Sequence, residues 1–333
     1  MSMIDPNFIS TKVLPSLKND TATLLTDISL GKGSNNEFVV FIKPEMFLGQ
    51  SDETIISSLE MIFDKFTNFG VKMTGIATIN GTTLAEKEVM SSHYGYINQV
   101  SKTASQTSEE DKKVMAEKLS LTLENFPQIL GGHEFLEKFP SMSAKELDTF
   151  WFTKKSIKLR SGFYFNIFDF EGNSYVLVNA FHPSQLLHFT SPERRIVLFV
   201  GNSEKSWESL RNELIGDTYP EKALTTSIRG EIFANPSKYG QKEVNIGNNG
   251  IHMSAGPFEA LKEMFNFYTL IFGVDLKVNT PMIINKLVSQ GVSIQNAIEL
   301  KNNPNLSSDN DLFTATELLD CADAVDTYLK NTK

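Results

Sequence analysis

The chain has a single cysteine, Cys321, in 333 residues. That excludes an internal disulfide framework, a cysteine-based zinc cluster and dithiol redox catalysis, and a reducing, cytoplasmic compartment is the simplest expectation. No apolar run approaches the roughly 20 residues needed to span a bilayer. The opening "MSMIDPNFIST" lacks the basic region and apolar stretch of a secretory signal. Neither export nor membrane insertion is expected. Positive charge is also scarce: 31 Lys and Arg against 40 Asp and Glu give a formal charge of −9. Non-specific binding to nucleic-acid phosphates requires a basic face, so no nucleic-acid partner is expected. A small anion held in a locally basic pocket is compatible with this balance.

What is present suits a folded chain. The apolar fraction is 41%, and the length fits two average domains or one core carrying insertions. Residues 1–35 contain polar, turn-rich stretches and read as an irregular extension. Their "GKGS" is not a phosphate-binding P-loop, because the first glycine of that motif is missing and no strand precedes it. From Glu37 the pattern sharpens. "EFVVFIKP" reads as a strand stopped by Pro44. "SDETIISSLEMIFDKFTNFG" reads as an amphipathic helix capped by Ser51 or Asp52, with Ile55, Leu59, Ile62, Phe63 and Phe66 on one face. "VKMTGIATI" reads as a second strand and "TTLAEKEVMSSHYG" as a helix capped by Thr82 or Thr83.

Residues 101–178 change character: polar helical text is followed by a hairpin signal, "GFYFNIFDF" and "SYVLVNAF" joined through Glu171, Gly172 and Asn173. The strand–helix alternation then resumes with "RRIVLFVG", a helix closed by Gly216, a short strand at "NGIHMS" and a helix from Pro257. Four strands and their helices in β-α-β-β-α-β order predict an α+β, ferredoxin-like sandwich with a four-stranded antiparallel sheet. The expected organisation is an N-terminal extension over 1–35, a core over 36–100 and 179–272, an insertion over 101–178 that is mostly helical with a β-hairpin, and a helical extension over 273–333.

A histidine is most often a satisfied structural residue, and His93, His133, His182 and His188 keep that reading, since none has a metal-ligand spacing. His252 differs. It precedes a helix N-terminus, where unpaired N–H groups and the positive dipole end suit phosphate. Lys43 at a strand end and Arg229 on a loop are the side-chain types that clamp phosphoryl groups. Neutral imidazole is a competent nucleophile, and Glu263 is a candidate carboxylate to fix its tautomer.

These residues carry a resemblance. Through "FVVFIKPEMF", "HYG", "LIGDTYPEKALTTSIRGEI" and "NNGIHMSAGPFEALKEMFNF", about half of the chain resembles the nucleoside diphosphate kinases. Thr218, Pro220 and Arg229 keep that family's internal spacing, as do Asn249, His252, Ser254 and Glu263. The resemblance implies a histidine that takes the γ-phosphoryl group from a nucleoside triphosphate, usually ATP, and passes it to a diphosphate, with Mg²⁺ bridging the phosphates. His252 would be the nucleophile, Glu263 its orienting carboxylate and Ser254 that carboxylate's support. Lys43, Tyr94 and Arg229 would stabilise the transferring group, while Thr218 would bind the inner phosphate and Asn249 the ribose. The metal would be held by the nucleotide phosphates. Family members commonly form homo-oligomers, and a dimer is expected here rather than a hexamer.

The sequence also departs from the family. About 80 residues are inserted between Tyr94 and the next suitable aromatic, Phe181, which is assigned to stack on the base. The phosphate-binding arginine expected four residues before the loop glycine is displaced: Asn212 stands there and Arg211 precedes it. One residue is about 100° on an α-helix, so either a bulge re-aims Arg211 or its contact is lost. Met253 replaces a glycine, which tests the room around that strand. The alternative reading is a non-catalytic nucleotide-binding regulatory or scaffold protein with a repurposed core.

Overall fold

A computed structural model describes residues 4–32, 35–307 and 310–332. Part of the "GKGS" stretch, Gly33 and Ser34, lies outside the described residues, as do Ser308 and Asp309 of the C-terminal extension. The chain divides into two compact units, Met1–Val89 with Phe189–Lys333, and Met90–His188. Its strands are β1 (Thr23–Leu24), β2 (Asn36–Ile42), β3 (Lys72–Asn80), β4 (Gln128–Gly131), β5 (Ile157–Arg160), β6 (Phe163–Phe170), β7 (Asn173–Val178), β8 (Arg195–Ser203) and β9 (Ile251–Met253).

The first unit is built on an antiparallel sheet in the order β1-β3-β8-β2-β9. The expected sheet had four strands; there are five. The addition is β1, which pairs Thr23 with Thr78 and Leu24 with Ala77 along the edge of β3. A two-residue strand has no period to read, so it is invisible to pattern analysis. The N-terminal stretch is therefore not wholly irregular; it also carries a helical run over residues 6–16.

All seven residues of β2 are buried, which explains its unbroken apolar run. Helices cover both faces. The helix Asp52–Asn68 is capped by Ser51, whose hydroxyl accepts from the Thr54 N–H. It rests Phe63 and Phe66 on Phe199 of β8, with ring centroids 5.8 and 5.0 Å apart. Trp207 packs edge-on against Phe38 on the same side. Across the sheet, residues 257–272 continue from the helix Pro257–Met264 and bring Phe267 against Phe41, 5.6 Å between centroids. Glu37 ties both chain extensions to β2: its Oε1 accepts from the Gly31 N–H and its Oε2 from the Met282 N–H, each at 2.7 Å.

The helix expected to be capped by Thr82 or Thr83 is capped two or three residues earlier. Asn80 caps it by accepting from the Thr83 N–H, and Gly81–Glu86 and Val89–His93 are separate segments because Glu88 takes a left-handed φ of 52°.

The second unit is not mostly helical with a lone hairpin. It holds a four-stranded mixed sheet, β4-β7-β6-β5, in which β4 runs parallel to β7 and the other pairs are antiparallel. β4 and β5 have four residues each, too few to declare a strand against helix-forming neighbours. The hairpin β6–β7 turns through Glu171 and Gly172, both at positive φ, as a tight two-residue connection demands. The sheet's two faces bury separate clusters, one with Met115, Phe165 and Val178, the other with Phe135, Trp151 and Leu177. Among the described residues, no helix is long and apolar enough to cross a membrane.

Candidate functional site

His252 is the middle residue of β9, opposite Phe41 of β2. Its imidazole Nε2 lies 2.6 Å from Glu263 Oε1. Glu263 is wholly buried, and its other oxygen accepts from the Ser254 hydroxyl at 2.5 Å. Ser254 is fixed in turn, its oxygen accepting from the Val39 N–H at 3.0 Å. A buried carboxylate that accepts from a serine acts as an acceptor toward the imidazole too. Nε2 therefore carries the proton and Nδ1 the lone pair. Glu263 reaches back to β9 because the turn at 254–256 reverses the chain and the helix Pro257–Met264 runs past the strand, with buried Phe258, Leu261 and Met264 pinning its other positions.

Three cations surround this pair. β9 is the sheet's outer strand, and the carbonyls of Ile251 and Met253, on either side of His252, each accept from an arginine. Arg229 Nη2 reaches Ile251 O at 3.0 Å, and Arg211 Nη1 reaches Met253 O at 2.7 Å. Arg229 is only 4% exposed, also donates to Gly216 O, and has a buried Nε with no hydrogen-bond partner. Burial, then the nearby Arg211 charge, pushes its guanidinium down to about 9. Burial, followed by Arg211, Lys43 and Arg229, holds the His252 imidazole well below the usual histidine range. It is neutral at physiological pH.

The one-residue displacement of Arg211 is absorbed by the helix. Residues Leu210–Ile215 form a π-turn, closed by Gly216 at φ 95°. A π-turn houses one extra residue, so Arg211 is re-aimed toward β9 rather than lost to the other face. Met253 also finds room: it is fully buried, paired with Val40.

Lys43 follows β2, and its ammonium donates to Asn249 Oδ1 at 2.7 Å and to Gly247 O at 3.3 Å. Burial, with a further push from Arg229, brings it down to about 8 against the opposing pull of Glu45. Asn249 is buried and donates through Nδ2 to the carbonyls of Thr218 and Ile246. Thr218 itself is exposed. Thus His252, Glu263, Ser254, Arg211, Arg229, Lys43, Asn249 and Thr218 belong to one connected region of the first unit. Tyr94 and Phe181 belong to the second. Tyr94 meets His93 and His182 edge-on, and Phe181 packs with Trp151 and Tyr164. His182 is a structural histidine, bonded to Gln185 and Asn98.

Two acids went unread in the sequence. Glu45 Oε1 accepts from the N–H of Gly250, whose carbonyl accepts from the Lys43 N–H; Gly250 sits at φ 80°, where a side chain is strained. Glu259 accepts from the Ala255 N–H. Its place one turn before Glu263 is a readable signal, since two acids at i and i+4 share a helix face.

No protein-family model matches the chain, and no curated protein matches it.

Proposed function

We propose that this protein is a nucleoside diphosphate kinase: a ping-pong phosphotransferase that moves the γ-phosphoryl group of a nucleoside triphosphate, usually ATP, to a nucleoside diphosphate through His252. The observation that carries this reading is the His252 Nε2–Glu263 Oε1 contact of 2.6 Å within a ring of Lys43, Arg211 and Arg229. The lone pair on Nδ1 attacks the γ-phosphorus, a P–N bond forms, and the bond to the bridging oxygen breaks with its electrons leaving on the diphosphate. The ring becomes cationic in this step. Glu263 stabilises it through the retained Nε2–H, and Ser254 keeps that carboxylate oriented. A diphosphate oxygen then attacks the phosphohistidine, and the ring returns to neutrality.

The cationic donor set fits phosphate rather than a bare divalent ion, so Mg²⁺ would arrive on the nucleotide, where it neutralises phosphate charge. Lys43, Arg211 and Arg229 would hold the phosphates, with Thr218 on the inner one. The order β3-β8-β2-β9, with helices following β2 and β8, supports a ferredoxin-like core. We infer a cytoplasmic location, in keeping with the lone Cys321, and a homodimer rather than a hexamer; a hexameric mass in light scattering would contradict the dimer.

A second reading, a nucleotide-binding regulatory or scaffold protein without catalysis, is favoured by Asn249, whose amide is engaged by Lys43, Thr218 and Ile246 and must be released to meet a ribose. Incubation with γ-labelled ATP decides between them. The kinase reading expects acid-labile, base-stable label that His252→Ala abolishes; absence of label, or label that survives the substitution, overturns it.

A further inference from the structure

Residues beyond 272 play no part in the chemistry above, yet residues 316–318 lie against the turn that carries Ser254. The Leu318 N–H donates to Ala255 O at 3.0 Å. Thr316 O comes so close to Gly256 that a Cβ there would meet it at 2.8 Å. The same peptide segment is gripped from the other side, where the Ala255 N–H donates to Glu259. Both polar groups of Ala255 are thus fixed, one by the C-terminal segment and one by the helix that bears Glu263. Leu318 adopts φ 62°, a left-handed conformation costly for a residue with a Cβ. Its side chain is 39% exposed, so core burial does not account for that conformation, whereas delivery of its N–H to Ala255 does.

Immediately before Ala255 stands Ser254, which bonds both the Val39 N–H and Glu263. Ser254 is also held by Val39 O, which accepts from its N–H, and by Trp207 Nε1, which donates to its carbonyl at 3.1 Å. The contacts on Ala255 act together with these in keeping Ser254 on Glu263, whose contact with Nε2 fixes the tautomer of His252. We propose that Leu318 and Glu259 form a two-sided clamp on the Ser254–Ala255 turn, making the C-terminal segment a positioning element for His252 rather than an appended domain. Both are positioning residues; neither touches the reacting atoms.

The kinetic part of the test rests on the phosphotransfer reading, and the spectroscopic part does not. Leu318→Pro removes the donor and forbids positive φ, while Leu318→Gly keeps the N–H and relaxes the strain. Imidazole ¹⁵N spectra of the nucleotide-free protein report the His252 tautomer. Wild type and Leu318→Gly should show a proton on Nε2, and Leu318→Pro a tautomeric mixture. Single-turnover labelling of His252 by ATP should slow about tenfold to a hundredfold in Leu318→Pro, with nucleotide affinity within about twofold. Glu259→Ala should reproduce both effects and Glu259→Gln, whose side-chain carbonyl still accepts, should restore them; this pair decides the matter if Leu318→Pro fails to fold. A single Nε2-protonated tautomer in Leu318→Pro or Glu259→Ala overturns the clamp, whatever the labelling shows. If no wild-type protein takes label, the kinase reading fails and the spectra alone judge the clamp.

Discussion

The imidazole of His252 lies flat against the ring of Phe41, with centroids 4.3 Å apart and planes inclined by 15°. The two residues face each other across β2 and β9, so the strand pairing itself sets the ring plane, while Glu263 sets the rotation within it. Phe41→Leu removes the stack and keeps an apolar residue. An aromatic pair of this kind contributes about 0.5–1.5 kcal/mol beyond burial. The variant should unfold at lower urea with an unchanged denaturant slope, and His252 labelling should slow although every polar group of the site is intact.

Glu263→Gln isolates the carboxylate. Its amide still fills the space but carries no charge to balance an imidazolium. Hydrogen bonds to charged groups contribute about 1.5–3 kcal/mol, so a slowing of His252 phosphorylation of roughly tenfold to a hundredfold is expected. Nucleotide affinity measured by calorimetry should change little.

Two limbs should frame the pH dependence. His252 is held neutral well below the usual histidine range, so mild acid leaves its imidazole uncharged. The stability sign follows: the unfolded chain takes up this proton at the ordinary value and the folded chain refuses it. Stability is therefore lost as pH falls through about 6.5. His252→Gln should remove that part of the acid sensitivity in chemical denaturation. Lys43, brought down to about 8, keeps its charge below that value and loses it above, so labelling should decline as pH rises through about 8. Lys43→Arg should move the alkaline limb upward from about 8 toward the value of about 9 held by Arg229, if it retains activity.

Glu37 offers a test away from the chemistry. Both its oxygens accept backbone N–H groups, from Gly31 and Met282, and Glu37→Gln turns an amide donor toward one of them. An unsatisfied buried donor costs about 1–3 kcal/mol. Global stability should drop by that amount in urea unfolding, with no change in which residue takes label.

Legibility in the sequence followed length and directness. β2, β3, β8 and the helix Asp52–Asn68 were readable because each sustains a pattern or is bounded by cap and turn residues; the hairpin was readable from Glu171–Gly172. β1, β4 and β5, at two to four residues, were not, and owe their existence to the edges they pair with. At the site, His252 was legible from its place before a helix N-terminus and Glu263 as a carboxylate on that helix, while Ser254 and the pairing of the three came from the family resemblance. Arg211 was ambiguous, since a sequence does not announce a π-turn. Glu45 and Leu318 escaped because their work is done on backbone groups, which carry no residue-specific signature, whereas Glu259 left a signal in its i, i+4 spacing to Glu263.

β2 has a role that reaches past packing. Its Glu37 anchors both extensions, its Val39 backbone holds Ser254, its Phe41 supports the imidazole, and Lys43 follows its end. Alternation puts these four on one parity of a single strand, and a slip of one residue would turn all of them away together. Under the proposed function, phosphorylation of His252 would therefore serve as a readout of strand register, reporting in one chemical event that β2 has paired correctly.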